Sequence, residues 1–175
     1  MNRKLIKNLT MGALIAALYT ALTLIVAPLS FGPVQLRLSE AMTVLPAVCP
    51  PAIAGLTLGC FLSNIIGFFM GANPIGVIDA FVGSAATLLA AVVTAYIGKK
   101  FTGRALYFLA PLPPVLFNGL FIGAELAFIL TGTVTVWSFA LSCIYVALGE
   151  AVACYIGGNI LLKAGCKYFS RYFKE

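Results

Sequence analysis

The chain has 175 residues, of which 62% are hydrophobic and 9% charged, with a formal net charge of +6 and no histidine. So apolar a composition excludes an ordinary soluble domain. The absence of histidine removes Ser-His-Asp and Cys-His nucleophiles and His-ligated metal sites, and with no Walker A lysine and no G-x-G-x-x-G the sequence predicts neither an enzyme nor ATP hydrolysis by this chain.

The basic residues fall at Arg3, Lys4 and Lys7, at Lys99, Lys100 and Arg104, and at Lys163, Lys167, Arg171 and Lys174. These clusters flank hydrophobic runs, the pattern of topology signals and of contact with membrane lipid headgroups, and argue against nucleic acid. An all-α integral membrane protein is predicted, with six transmembrane helices over about 9–27, 39–49, 51–71, 76–98, 105–130 and 135–162, and residues 1–175 forming one membrane domain.

The apolar run behind MNRKLIKN is longer than the core of a signal peptide and predicts a retained first helix. On it Ala13, Ala17 and Ala21 recur every four residues, with Gly12 and Ala16 alongside. Small-xxx-small spacing lets helices approach closely, and such a face more often serves internal packing than a partner.

Pro28, Gly32 and Pro33 make 28–38 a loop. The following 39–71 is too long for one span and is interrupted by Pro46, Pro50 and Pro51. If the basic clusters all face the cytoplasm, an even number of spans separates the first from the second, so 39–71 must cross twice. Both termini are then cytoplasmic and the 28–38 loop is external. A helix from Ser39 to Cys49 rises only about 16 Å, roughly half the hydrocarbon thickness, and leaves Arg37 and Glu40 at its external end beneath that loop.

Glu40, Asp79, Glu125 and Glu150 are the acids that precede Glu175, and Arg37 is the base within the membrane body. Each costs about 2.5–3.5 kcal/mol at a helix centre on insertion scales, so they are expected to face one another or a cavity. Asn64 falls toward the outer end of the third helix, and Asn118, seven residues before Glu125, shares its helix face. A local Arg37–Glu40 ion pair with Asn64 and Asn118 as interhelical hydrogen-bond partners is the plainest structural account. It leaves Asp79, Glu125 and Glu150 to be protonated or met by a cationic or donor-rich ligand. The five cysteines lack metal or redox spacing and are read as packing residues.

The blocks FGPVQLRLSEAMTVLP, LSNIIG, GVIDAFVGSAATLLAA, LAPLPPVLFNGL, GAELAF and YVALGEAVACYIGG, spread over about Asn8 to Leu162, resemble those of the QueT family. That family comprises queuosine-precursor substrate-binding S components of energy-coupling factor (ECF) transporters. The resemblance implies a six-helix S component in the bacterial cytoplasmic membrane. Such a subunit captures a 7-deazaguanine such as preQ0, preQ1 or queuine from outside, for uptake driven by an ECF scaffold transmembrane subunit and two cytoplasmic ATPases. ATP is then used by the partners, with no cofactor and no metal in this chain. The resemblance also turns Ala13, Ala17 and Ala21 toward the scaffold subunit. With such a ligand Glu40, Asp79, Glu125 and Glu150 are candidate acceptors, Arg37 a donor or positioning ion, and Asn64 and Asn118 amide contacts, while Phe31, Phe61, Phe121 and Tyr145 are available to stack on the ring. An S component for another vitamin or nucleobase, a membrane enzyme subunit, and a solitary transporter using the same acids as a proton or cation relay are the alternatives.

Overall fold

The computed structural model describes residues 3–32, 35–133 and 135–172; Pro33 of the predicted loop and Lys174 of the third basic cluster lie outside the described residues. The elements are α1 (Arg3–Ile25), α2 (Ala27–Ser30), a 3₁₀ helix (Leu38–Ala47), α3 (Ala52–Phe69), α4 (Gly76–Lys100), α5 (Gly103–Leu109), α6 (Leu112–Thr131), α7 (Val136–Ala151), a π-helical stretch (Val152–Gly158) and α8 (Asn159–Tyr172). No strand occurs among the described residues. Five stretches are long and apolar enough to cross a membrane: Arg3–Ile25, Ala52–Phe69, Gly76–Lys100, Gly103–Ile129 and Val136–Phe169. The 3₁₀ helix is the sixth segment of this all-α, multi-pass bundle.

Proline and helix geometry explain where these elements differ from the predicted ones. The 28–38 loop opens as α2, with Pro28 in its first turn, where a missing N–H costs no hydrogen bond. The fifth segment is divided at Ala110–Pro111, and Pro113 and Pro114 start α6. The second segment is 3₁₀ rather than α-helical, and includes Pro46. At about 2.0 Å rise per residue its ten residues reach about 20 Å, against about 15 Å for an α-helix. Part of the missing length is thereby recovered.

With three residues per turn the 3₁₀ helix presents three eclipsed rows of side chains. Met42 and Leu45 join Ile15, Tyr19, Leu56 and Cys60 in a core between α1 and α3. Val44 packs with Leu106, Ala110 and Leu162 in a second core toward α5 and α8. Glu40 and Thr43 form the third row and carry the polar contacts described below. Because its rows are buried on several sides, the segment sits inside the bundle rather than at its rim.

Small residues set the closest approaches. A Cβ at Gly55 would lie 2.6 Å from the Gly12 carbonyl oxygen, and one at Gly59 3.0 Å from that of Ala16. The pairs Gly12/Ala16 and Gly55/Gly59 thus hold α1 against α3. Ala13, Ala17 and Ala21 face outward on α1 and are exposed. Gly157 and Gly158 likewise let the π-helical stretch lie on Ala41 and Val44 of the 3₁₀ helix.

Candidate functional site

The charged and amide side chains gather in two groups away from the basic ends of α1, α4 and α8. The first is built where α2, the start of the 3₁₀ helix, the end of α3 and the start of α4 converge. Arg37, 3% exposed, donates from Nη2 to Asp79 Oδ2 at 2.8 Å, and Asp79 is 1% exposed. Its Nε donates to the Ser30 carbonyl at 3.1 Å, and its guanidinium lies 5.4 Å from the centre of the Phe31 ring. Nη2 also reaches Asn64 Oδ1 at 3.5 Å. Asn73 donates to Asp79 Oδ2 at 3.0 Å and to Asn64 Oδ1 at 3.2 Å, while Asn64 Nδ2 donates to the Asp79 carbonyl at 3.3 Å. The buried ion pair therefore runs from Arg37 to Asp79 on α4, and the local Arg37–Glu40 pair suggested by their spacing is replaced by this interhelical one. Arg37 precedes the 3₁₀ helix with an extended backbone (φ −97°, ψ 115°), and both oxygens of Glu40 are already met by Tyr19 and Asn118.

The second group is equally buried. Glu40 accepts from the Tyr19 hydroxyl at Oε1 and from Asn118 Nδ2 at Oε2, 3.4 Å away. The same Asn118 amide donates to Glu150 Oε1 at 3.0 Å, and the Cys154 thiol lies 3.6 Å from Glu150 Oε2. Thr43 donates to the Glu40 carbonyl at 2.6 Å. One amide thus bridges two carboxyl groups from different segments, and all four of their oxygens are engaged. Asn118→Ala removes the bridge and leaves Glu40 Oε2 and Glu150 Oε1 without a donor. A loss of about 2 kcal/mol of stability is expected for the ligand-free protein. A thermal or denaturant midpoint in detergent equal to that of the wild type would show the bridge to be energetically idle.

Asp79 and Glu125 differ from these. Asp79 Oδ1 and both carboxylate oxygens of Glu125 are buried and have no hydrogen-bond partner among the described residues. Glu125, 9% exposed, stands on α6 within electrostatic reach of Asp79 and Arg37. It is the polar member of an open groove of about 640 Å³ otherwise lined by apolar side chains that include Ile78, Val82, Phe121, Phe128 and Phe139, of which Ile78 and Phe128 are more than half exposed. That volume falls within the range of about 300–1,000 Å³ usual for small-molecule sites. Buried acceptors without donors are costly in a membrane interior and suit a ligand that brings donors.

Of the sequence-predicted residues, Arg37, Asn64 and Asp79 meet directly, Glu40, Asn118 and Glu150 meet directly, and Glu125 lines the groove. Phe31 stacks under Arg37 and against Gly67, and Phe121 borders the groove. Phe61 instead makes an edge contact with the outward-facing Phe81, their centres 5.5 Å apart, and Tyr145 is half exposed on α7. Tyr19, Asn73 and Cys154 join the groups without any charge or spacing signal in the sequence. Asn73 had one weak cue, its place in the Asn-Pro turn six residues before Asp79. Gln35 is 4% exposed with φ of 47°, a left-handed conformation uncommon outside glycine and asparagine, two residues before Arg37.

A family model described as QueT transporter matches residues 9–166. Among curated proteins the chain is similar to the queuosine precursor transporter QueT of Lactococcus lactis subsp. cremoris (strain MG1363), at 27% identity over 167 residues, covering 87% of this chain and 89% of that protein. No solved structure matches it.

Proposed function

The chain belongs to the QueT transporter family, and on that premise we propose that it is the substrate-binding S component of an ECF-type importer for a queuosine precursor of the 7-deazaguanine class. The observation that carries this reading is the set of unengaged acceptors, Asp79 Oδ1 and Glu125, beside the Arg37, Asn64 and Asn73 donors. The amino-pyrimidinone edge of a 7-deazaguanine offers adjacent N–H donors to a carboxylate and a carbonyl to a guanidinium or amide. Glu40, Asn118 and Glu150 form the floor of the site in this reading, and Phe31 and Phe121 are placed to cover the ring.

The relative named as a queuosine precursor transporter supports the substrate class. The ATP-using steps belong to partners, a scaffold transmembrane subunit and two cytoplasmic ATPases, since this sequence lacks a nucleotide-binding motif. The exposed Ala13, Ala17 and Ala21 row on α1 is the surface for the scaffold subunit. In this reading the positive-inside rule puts both termini in the bacterial cytoplasm, with Arg37 and Asp79 toward the outer side.

Calorimetry on the purified protein tests the substrate: saturable binding of at least one 7-deazaguanine is expected, and binding of an unrelated vitamin in place of all of them would overturn the assignment. Proteoliposomes holding this chain alone should bind substrate without accumulating it. Gradient-driven accumulation in their lumen would replace the S-component reading with that of a solitary transporter.

A further inference from the structure

Glu125 poses a charge problem that the rest of the site does not solve. The guanidinium of Arg37 is already engaged by Asp79 at 2.8 Å, and the oxygens of Glu40 and Glu150 are met by Tyr19, Asn118 and Cys154. Among the described residues both Glu125 oxygens lack a partner, and the groove they border is otherwise lined by hydrocarbon and aromatic side chains. Taking up a proton would remove the larger cost, the charge, but would still leave a buried O–H that lacks an acceptor. A group that both neutralises the carboxylate and donates to it satisfies Glu125, and an ammonium does so with several N–H bonds.

Resting on the reading of the site given above, we infer that Glu125 is a specificity-determining residue that pairs with a protonated amine carried on the ligand's side arm, so that the protein selects amine-bearing 7-deazaguanines over neutral ones. The two carboxylates then divide the ligand between them. Asp79, fixed by Arg37 and Asn73, meets the flat pyrimidinone edge, while Glu125, across on α6, meets the arm. The apolar walls sharpen the choice, because an unpaired charge in such surroundings is far more costly than in water, whereas a neutral arm leaves Glu125 unmet. Phe121, Phe128 and Phe139 bound the same space, and aromatic rings close to a cation attract it.

The experiment compares 7-aminomethyl-7-deazaguanine with 7-cyano-7-deazaguanine, which share the ring and differ in the arm, on wild-type protein and on Glu125→Gln by isothermal titration in detergent. Wild type should bind the amine at least about tenfold more tightly than the nitrile. Glu125→Gln, nearly the same shape without the charge, should lose about tenfold or more for the amine and leave the nitrile within about twofold, collapsing the preference. Glu125→Asp, which keeps the charge on a shorter stem, should retain the direction of the preference. Equal binding of the two ligands by wild type, or equal losses of both in Glu125→Gln, would overturn the inference while leaving the substrate class intact. Binding of neither by wild type would overturn the substrate class and the inference together.

Discussion

Arg37→Met is expected to destabilise the ligand-free protein by about 3–5 kcal/mol, the cost of breaking a buried ion pair from one side. The pair is 3% and 1% exposed, and removing the guanidinium leaves Asp79 with Asn73 as its remaining side-chain donor, while the Ser30 carbonyl and Asn64 Oδ1 each lose a partner. Methionine refills most of the volume, so the loss reports the uncompensated charge rather than a hole. The diagnostic companion is Arg37→Met combined with Asp79→Leu. Removing both charges should recover a large part of the stability while leaving ligand binding abolished, because a buried pair is costly to break and nearly neutral to replace. Unfolding midpoints in detergent check both variants. A double variant no more stable than Arg37→Met alone would mean that the guanidinium acts through its contacts to Ser30 and Phe31 and not through Asp79.

Gly98→Ala should be at least as damaging, although it adds a single methyl group. A Cβ at this position would lie 2.0 Å from the Ala47 carbonyl oxygen and 2.5 Å from its carbonyl carbon and Cα. All three atoms are backbone, so no rotamer change relieves the clash, and α4 must part from the end of the 3₁₀ helix. Overpacking in a well-filled core costs about 1–3 kcal/mol and occasionally more; with backbone opposing backbone, more than about 3 kcal/mol is expected. Because the displaced segment carries Glu40 at its other end, substrate affinity should fall with stability. Gly119→Ala is the matched control, since its Cβ would meet Ala147 Cβ at 3.3 Å, a contact a small shift can absorb. It should cost less than about 1 kcal/mol, measured by the same unfolding midpoint. Equal effects at Gly98 and Gly119 would show that the crossing of α4 and the 3₁₀ helix is loose.

The all-helical bundle and, roughly, its number of membrane segments were legible in the sequence because long apolar runs, proline positions and three basic clusters each constrain the same count. The type of helix at 38–47 was not legible. Its composition is compatible with an α-helix that a proline cuts short, and what selects the tighter winding is packing on all sides against α1, α3, α4 and α8, which a local pattern does not record. At the site, scarcity was the signal: with so few charged residues in the membrane body, the charges that remain stood out. Their partners did not. Arg37 sits three residues from Glu40 but bonds to Asp79, 42 residues away, because loop direction and helix juxtaposition decide the pairing and not proximity along the chain. Tyr19 and Cys154 were invisible, and Asn73 nearly so, for a related reason, since a tyrosine, an asparagine or a cysteine looks alike in sequence whether it packs, turns or donates to a carboxylate.

The separation of Arg37 from Asp79 also bears on how the protein is made. Arg37 enters the bilayer ahead of α3, whereas its counter-ion emerges 42 residues later at the start of α4. At about 5–20 residues per second that interval is roughly 2–8 s. During it the guanidinium stands at the head of a short segment with no carboxylate from α4 to meet it, so the nascent second segment is poorly suited to settle in lipid by itself. The arrival of α4 then supplies the counter-charge, so a buried contact of the second segment is completed by a helix synthesised after it.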